Sequence, residues 1–568
     1  MAHGLARAPS VAQHWRMKPR LLPAALAAAL VAACAPHTPD FNQARITEDV
    51  RVLSGDDFEG RAPATAGERK TVDYLVAKLD AAGLLPGGDR KPDGTRAWTQ
   101  DLPLTRSEIE GPVRVQVNAG RDHPQWTQGN EVALRATQNG DTAVNLAGAP
   151  VVFVGYGVTA PERRWDDFKD VDLKGKVALI LVNDPDFETG SGDFGGKAMT
   201  YYGRWTYKYE EMARRGAAGA LVIHETAPAS YGWETVKNSN TGPVFDVQRS
   251  DPRAVHVPVE GWMQRDAAAL LLQKAGLGFD ELKVQARERN FHPAELKGVT
   301  LDVSFNVKRE QVVSKNIVAV LPGTSHADEW VLYTAHWDHL GKGQPDADGD
   351  AIFNGAVDNA AGVAQLLEIA RTFQKAPRTG RSLGFLFVGA EEQGLLGSEY
   401  YATHPLYPLE KTVADLNTDS PRPTSPARDF MTSGDAPLTL MDTLVEIGRE
   451  LKRSHSPDSR PQAGSFFRSD HFSFAKRGVP AISFKSGDNL DEGGVAAGKA
   501  WMEAYDRDRY HQPNDEFDAK SWRSDGIAAD ALLLYRLGRR LAESRDWPEW
   551  KDGSEFKAIR EASAAQRN

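Results

Sequence analysis

Three short apolar runs in the C-terminal half each lead straight into residues that bind metals or move protons. That pattern constrains the chain more than any other feature. Residues 330–334 run into Ala335-His336-Trp337-Asp338, residues 383–388 into Gly389-Ala390-Glu391-Glu392, and residues 413–416 into Asn417-Thr418-Asp419. Asp358 stands at the head of a helical pattern, inside Gly355-Ala356-Val357-Asp358-Asn359-Ala360-Ala361-Gly362. Between these runs, residues 363–373 and 526–541 carry apolar faces at helical spacing, and residues 317–321 and 480–484 read as further strands. Strand–loop–helix alternation of this kind predicts an α/β sandwich with a mostly parallel central sheet. Such sheets carry their sites beyond the carboxyl ends of the strands, where these acids and histidines fall.

The chain has 568 residues, enough for more than one core. Residues 67–84 predict a helix, with Val72, Leu75, Val76 and Leu79 at helical spacing, after a polar, irregular stretch at 35–65. Strands are expected near 98–104 and 113–117. Residues 126–297 read as a separate β-rich unit with one helix at 207–215 and no catalysis of its own. The expected division is a leader at 1–34, the first part of the catalytic domain at 35–125, the inserted unit at 126–297, the rest of the catalytic domain at 298–550 and a tail at 551–568.

Arg16, Lys18 and Arg20 precede a short apolar run at 21–30, and small residues then lead to Cys34. This predicts a secretory signal rather than a membrane span. The ending resembles a bacterial lipobox, so the expectation is an exported chain on the periplasmic side of the cell envelope. It would be lipid-anchored at Cys34 and sorted to the outer membrane, with no other membrane attachment. Met17 is a second candidate start. Cys34 is the only cysteine. Without thiolates, any metal must be held by histidines and carboxylates. The formal net charge of −10 does not favour nucleic acid, and no zinc-finger spacing, phosphate loop or basic stripe is present.

Each candidate residue also has a plainer reading. His336-x-Asp338 suits a metal-bound imidazole oriented by a carboxylate, but the same tripeptide is common in surface turns. Asp358 could be a helix N-cap, although the flanking glycines let the backbone pass close to something bulky. Glu391-Glu392 could be two solvated acids, yet adjacent residues leaving a strand end in different directions suit a base beside a ligand. His511, in Tyr510-His511-Gln512-Pro513-Asn514-Asp515, could simply be exposed.

Taken in order, these motifs, with Ser469-Asp470-His471-Phe472-Ser473-Phe474, resemble the catalytic domain of the co-catalytic zinc aminopeptidases. That superfamily also holds glutamate carboxypeptidase II and glutaminyl cyclase. The inserted unit resembles a protease-associated domain through Gly155-Tyr156-Gly157-Val158, Val171–Lys176 and Arg215–Ala220. The resemblance implies two zinc ions held by His336, Asp358, Glu392, Asp419 and His511, with Asp358 bridging both. It implies Glu391 as general base, Asp338 as the partner that orients His336, and Tyr510 beside the reacting carbonyl. It also implies a cis peptide bond between Asp358 and Asn359.

The implied activity is removal of N-terminal residues from peptides. A metallocarboxypeptidase or dipeptidase on the same site would need cations for a substrate carboxylate, and Arg468 and Lys485 lie in a suitable stretch. A binding protein on a dead peptidase fold would be expected to lack a ligand or the base, and none is missing. Loops at 465–474 and 486–501 are expected to shape the side-chain pocket. Oligomeric state is left open by the sequence.

Overall fold

The computed structural model describes residue 39 and residues 41–567 apart from 435, 553 and 555. The leader and Cys34 lie outside the described residues. The chain from Phe41 onward holds together as one compact unit.

The catalytic half is built on strands His326–His336, Arg381–Val388, Thr412–Thr418 and Ala481–Ser486. Three pairings among them are parallel: His326–His336 with Arg381–Val388, His326–His336 with Thr412–Thr418, and Thr412–Thr418 with Ala481–Ser486. The short strand Asp429–Thr432 adds antiparallel to Ala481–Ser486, and Ser454–His455 pairs beyond it at the edge. These strands are buried on both faces and mostly apolar, although Thr412–Thr418 also buries Asp415 and Asn417. Helices Gly362–Lys375 and Asp525–Glu543 pack on each other and on the central strand. There the phenol of the wholly buried Tyr333 donates to the carbonyl of Leu534 at 2.9 Å. Helices Leu396–Thr403 and His471–Ala475 form a second packed pair. One apolar core joins Val331, Leu367, Phe385, Leu416 and Leu534. Truncating a buried leucine such as Leu367 would cost about 2–5 kcal/mol.

The sheet does not stop at the catalytic half. Strand Ala294–Leu321 pairs antiparallel with Arg381–Val388 through Ile317–Leu321, and with Ala143–Phe153 through its other end. Thr99–Ala119 runs antiparallel along the same strand, in register from Ile317↔Thr99 to Val299↔Ala119 with a bulge between Ser304 and Asn306. Two separate strands were expected where this single ribbon runs. Its middle is polar and exposed, and the two strands satisfy each other's backbone groups without needing an apolar face.

Beyond the ribbon, Ala143–Phe153, Val177–Leu181, Gly219–His224 and Val259–Gln264 form a parallel sheet with its own core of Val151, Leu179, Leu221, Leu271 and Leu301. The expected helix appears as Trp205–Arg214. Helices Trp233–Asn240, Arg265–Lys274 and Phe279–Gln285 were not expected, so this segment is α/β rather than simply β-rich.

Two end segments also differ from expectation. The stretch expected to be irregular contains helix Gln43–Leu53, whose buried Ile46, Val50 and Leu53 fall at helical spacing. Asn42 caps it, accepting from the Arg45 amide at 2.9 Å. The expected tail packs back on the body. Phe556 is buried, and the buried Arg560 donates to the carbonyl of Thr412 at 3.0 Å. Among the described residues no helix is long and apolar enough to cross a membrane.

Candidate metal centre

Parallel strands end together, so their C-terminal residues converge. His336 is the last residue of its strand, Glu391 and Glu392 follow Arg381–Val388, and Asp419 follows Thr412–Thr418. Asp358 comes from the irregular turn before helix Gly362–Lys375. His511 comes from the loop after helix Gly494–Asp508 and has a positive φ of 56°.

The five expected ligands meet. His336 Nε2 lies 3.2 Å from Asp358 Oδ1 and 3.6 Å from Asp419 Oδ1. His511 Nε2 lies 3.4 Å from Asp358 Oδ2 and 3.0 Å from Glu392 Oε2. Asp358 therefore turns one carboxylate oxygen toward each histidine. Glu391 Oε2 stands 3.9 Å from His336 Nε2. Triads of ligand atoms from His336, Asp358 and Asp419, and from His339, Asp358 and Glu392, each fit within 4.8 Å.

The Asp358–Asn359 peptide bond is cis. Asn359 ties the turn to the Asp419 strand: its Oδ1 accepts from the amides of Gly362 and Ser420, each at 3.0 Å, and its Nδ2 donates to the carbonyl of Thr418 at 3.2 Å. Both flanking glycines are sterically required. A Cβ at Gly362 would stand 2.0 Å from Asn359 Oδ1, and one at Gly355 would stand 2.2 Å from the Asp358 carbonyl and 2.6 Å from the His339 ring.

One expectation changes in detail. The Asp338 carboxylate does not hold His336. Its Oδ1 is 3.8 Å from His336 Nδ1, while the Asp338 carbonyl lies at 3.2 Å and makes the hydrogen bond. The carboxylate instead accepts from the amides of Glu391 at 3.0 Å and Glu392 at 3.4 Å. It positions the two glutamates and leaves His336 to the backbone.

Sequence reasoning passed over four supports. His339 Nδ1 bonds Glu392 Oε1 at 2.6 Å and orients it. Asp515 accepts from the amide of Asp358 at 3.0 Å and braces the turn. Arg61 is fully buried and donates to the carbonyls of Trp337, Asn354 and Gly355, so one guanidinium clamps the backbone at two ligand segments. Ser239, from the middle segment, lies 2.8 Å from His511 Nδ1. His339 follows the quoted His336-x-Asp338 and Asp515 ends the quoted Tyr510–Asp515, so both stood beside a visible motif; no local pattern marks Arg61 or Ser239.

The electrostatics ask for cations. Burial opposes charge on His511, yet Glu392 and Asp358 outweigh it and push the imidazole up to about 10. His336 is likewise raised, against burial, by Glu391, Asp358 and Asp419. Asp358 is held well below the usual carboxylate range because its hydrogen bonds to His336 and His511 outweigh burial. Glu392 falls to about 2 as His511 and His339 overcome burial. Burial pushes Glu391 well up, with Glu392, Asp470 and Asp419 adding repulsion. Four carboxylates thus share three imidazoles, those of His336, His339 and His511, and protons sit where metal charge would otherwise act. His511 Nε2 is buried between two carboxylates, 3.4 Å from Asp358 Oδ2 and 3.0 Å from Glu392 Oε2, where a cation would be shared by all three. Histidine and carboxylate donors without thiolate suit zinc and related divalent ions, so the residues fit such a metal.

A cavity of about 430 Å³ opens onto this cluster. Tyr231 and Ser239 of the middle segment line it together with Arg468, Tyr505 and Tyr510. The Tyr510 hydroxyl accepts from Arg468 Nη2 at 3.2 Å, and its ring lies 4.0 Å from that of His511. Phe467 reaches the wall from the expected stretch at 465–474, whereas Trp501 stands on helix Gly494–Asp508, where a loop was expected. Lys485 also lines the cavity, donating to the carbonyl of Asp419 at 2.6 Å and standing 4.0 Å from its Oδ2.

Residues 316–535 match the model of Peptidase family M28. Aminopeptidase NAALADL1 of Rattus norvegicus is 33% identical over 434 residues, covering 66% of this chain and 52% of the rat protein. An aminopeptidase of Pseudomonas aeruginosa (strain UCBPP-PA14) is 24% identical over 487 residues, covering 82% of this chain and 76% of that protein. The chain therefore spans about half the length of the rat relative and three quarters of the bacterial one. Among solved structures, an aminopeptidase from Aneurinibacillus sp. strain AM-1 shares the fold, with a TM-score of 0.52 at 19% identity over 89% of this chain and 95% of that one.

Proposed function

We propose that this chain, whose residues 316–535 match the model of Peptidase family M28, is an exported aminopeptidase that uses two zinc ions. The observation that carries the two-ion site is the split presentation of Asp358, with Oδ1 toward His336 and Oδ2 toward His511. His336 and Asp419 would hold one ion, His511 and Glu392 the other, and Asp358 both. When bound, the pair would acidify water and polarise a carbonyl oxygen.

The chain's own residues supply the rest. Glu391 sits at the edge of the ligand cluster, close to His336 and free of other hydrogen-bonded partners at its carboxylate among the described residues. Its carboxylate takes a proton from the attacking water and returns it to the leaving amine. The raised proton affinity of Glu391 comes from burial and neighbouring acids, and cations in the cluster would draw it back toward the working range. Tyr510, beside His511, donates to the oxygen that gains charge as the carbonyl is attacked. The Asp338 carboxylate keeps Glu391 and Glu392 on their separate tasks by holding both amides.

Aminopeptidase rather than carboxypeptidase activity is favoured by the excess of carboxylates at the cluster, which suits a substrate ammonium. The middle segment lines part of the cavity, through Tyr231 and Ser239 among others, which suits a chain end rather than a chain middle. Unblocked, N-acetylated and C-amidated forms of one peptide separate the possibilities. The unblocked and amidated forms should be cut from the N-terminus and the acetylated form spared; cleavage of the acetylated form with the amidated form spared would make this a carboxypeptidase. Export and a lipid anchor at Cys34 belong to the same proposal, supported by the leader's residue pattern. Cys34→Ala protein should leave the membrane fraction; if it stays there as wild type does, the anchor is wrong.

A further inference from the structure

The two metal-facing histidines are oriented by different parts of the molecule. His336 Nδ1 is held by the carbonyl of Asp338, two residues along the same segment. His511 Nδ1 meets Ser239 Oγ at 2.8 Å, across 272 residues of sequence. The contact is not isolated. Asn238 Nδ2 donates to the His511 carbonyl at 3.1 Å, and Thr235 Oγ1 reaches the Tyr510 carbonyl at 3.5 Å. All three belong to helix Trp233–Asn240 of the middle segment. That helix is fastened to its own unit, with Trp233 Nε1 donating to the Gly129 carbonyl at 2.8 Å and Arg135 Nη1 to Asn240 Oδ1 at 3.1 Å. Where the middle unit sits, this helix sits too.

We propose that Ser239 is a positioning residue for the metal centre, so that the middle unit completes the His511–Glu392 side of it. The chemistry is a tautomer choice. A ring whose Nδ1–H donates to the serine hydroxyl keeps the Nε2 lone pair for a metal, and Nε2 is the atom that faces Glu392 and Asp358. Asn238 holds the main chain of His511, which has a positive φ and no regular element around it. The His336 side needs no such help because its partner is local. Metal retention on the two sides is therefore unequal: one depends on the catalytic half alone, the other on the seating of the middle unit. The outer-shell role rests on the two-ion site proposed above.

The test uses the full chain, titrated with cobalt(II) and with zinc against a chromophoric chelator, with far-UV circular dichroism as the folding control. Wild type should take up two ions in two resolvable steps. Ser239→Ala should weaken one step by about 10–100-fold, alter the cobalt absorption band of that step, and leave the other step unchanged. Ser239→Thr, which keeps the hydroxyl, should restore the wild-type step. Asn238→Ala should weaken the same step. If Ser239→Ala binds both ions as wild type does, or loses both steps together, Ser239 does not position His511 and the inference falls. If wild type itself takes up fewer than two ions, the two-zinc site fails first and takes this inference with it.

Discussion

Two buried ionic clusters line the same cavity, and their charge balance differs. In the middle segment, His256 lies between Glu260 and Asp246, with Nδ1 3.0 Å from Glu260 Oε1 and Nε2 3.2 Å from Asp246 Oδ2. Arg249 adds two bonds to Asp246 at 2.7 and 3.0 Å. Two acids face two cations, so the cluster is complete by itself. At the strand ends, Asp358, Glu391, Glu392 and Asp419 share the three imidazoles of His336, His339 and His511, and Glu391 comes no nearer to one than 3.9 Å. Arg61 spends its donors on backbone carbonyls, and Lys485 donates to the carbonyl of Asp419 and reaches that residue's carboxylate only at 4.0 Å. Burying unpaired carboxylates is costly. A cluster that keeps them is built to receive cations, while the balanced one is built to hold two pieces of chain together.

The largest expected effect is at the shared ligand. Asp358→Ala should lose both ions and bring turnover to background, read by metal analysis and peptide cleavage; retention of two ions would break the bridging assignment. Glu391→Gln comes next. It should keep its zinc yet lose about 10²–10⁴-fold in kcat. A loss of metal together with activity would make Glu391 a ligand rather than the base.

Chelation sharpens the contrast in a third way. Removing metal should lower the thermal midpoint, and zinc in about 1,000-fold excess over its Kd should restore about 4 kcal/mol. Zinc that leaves the midpoint unmoved would mean that the unbalanced cluster does not bind it. The smallest effect lies in the balanced cluster. Glu260 and Asp246 overcome burial and raise His256 to about 9, above its ordinary 6.5. A raised histidine stabilises fully below its unfolded value, and that contribution is lost as pH rises through the folded one. The midpoint difference between metal-loaded wild type and His256→Gln should therefore be greatest near pH 6 and shrink by pH 9.5. A difference that grows with pH would mean the imidazole is neutral in the cluster.

Much of the catalytic half was legible. Apolar strands buried on both faces announce themselves as continuous runs, and the residues just past their ends are forced toward one edge of the sheet. His336, Glu391, Glu392 and Asp419 could thus be picked from the sequence, and Gly355 and Gly362 signalled the tight turn at Asp358. The polar ribbon at Thr99–Ala119 was less legible, because its pairing is set by a partner strand nearly 200 residues away rather than by its own periodicity. Helix Gln43–Leu53 was missed although its apolar spacing is present, since three buried positions in a polar stretch are a weak signal.

What the sequence determined by itself was the set of groups: histidines and carboxylates without thiolate, in an order and at strand ends that make a metal site. Which atom of each group does what was decided only by the tertiary structure. Asp338 was expected to orient His336 through its carboxylate, but the chain turns so that its carbonyl comes nearer and the carboxylate caps two amides instead. Ser239 and Arg61 reach the site from segments whose local sequence says nothing of metals. The reason is physical: residue type and strand period are local properties, readable along the chain. A hydrogen bond of 2.8 Å between Ser239 and His511 depends instead on how two separately packed cores settle against each other.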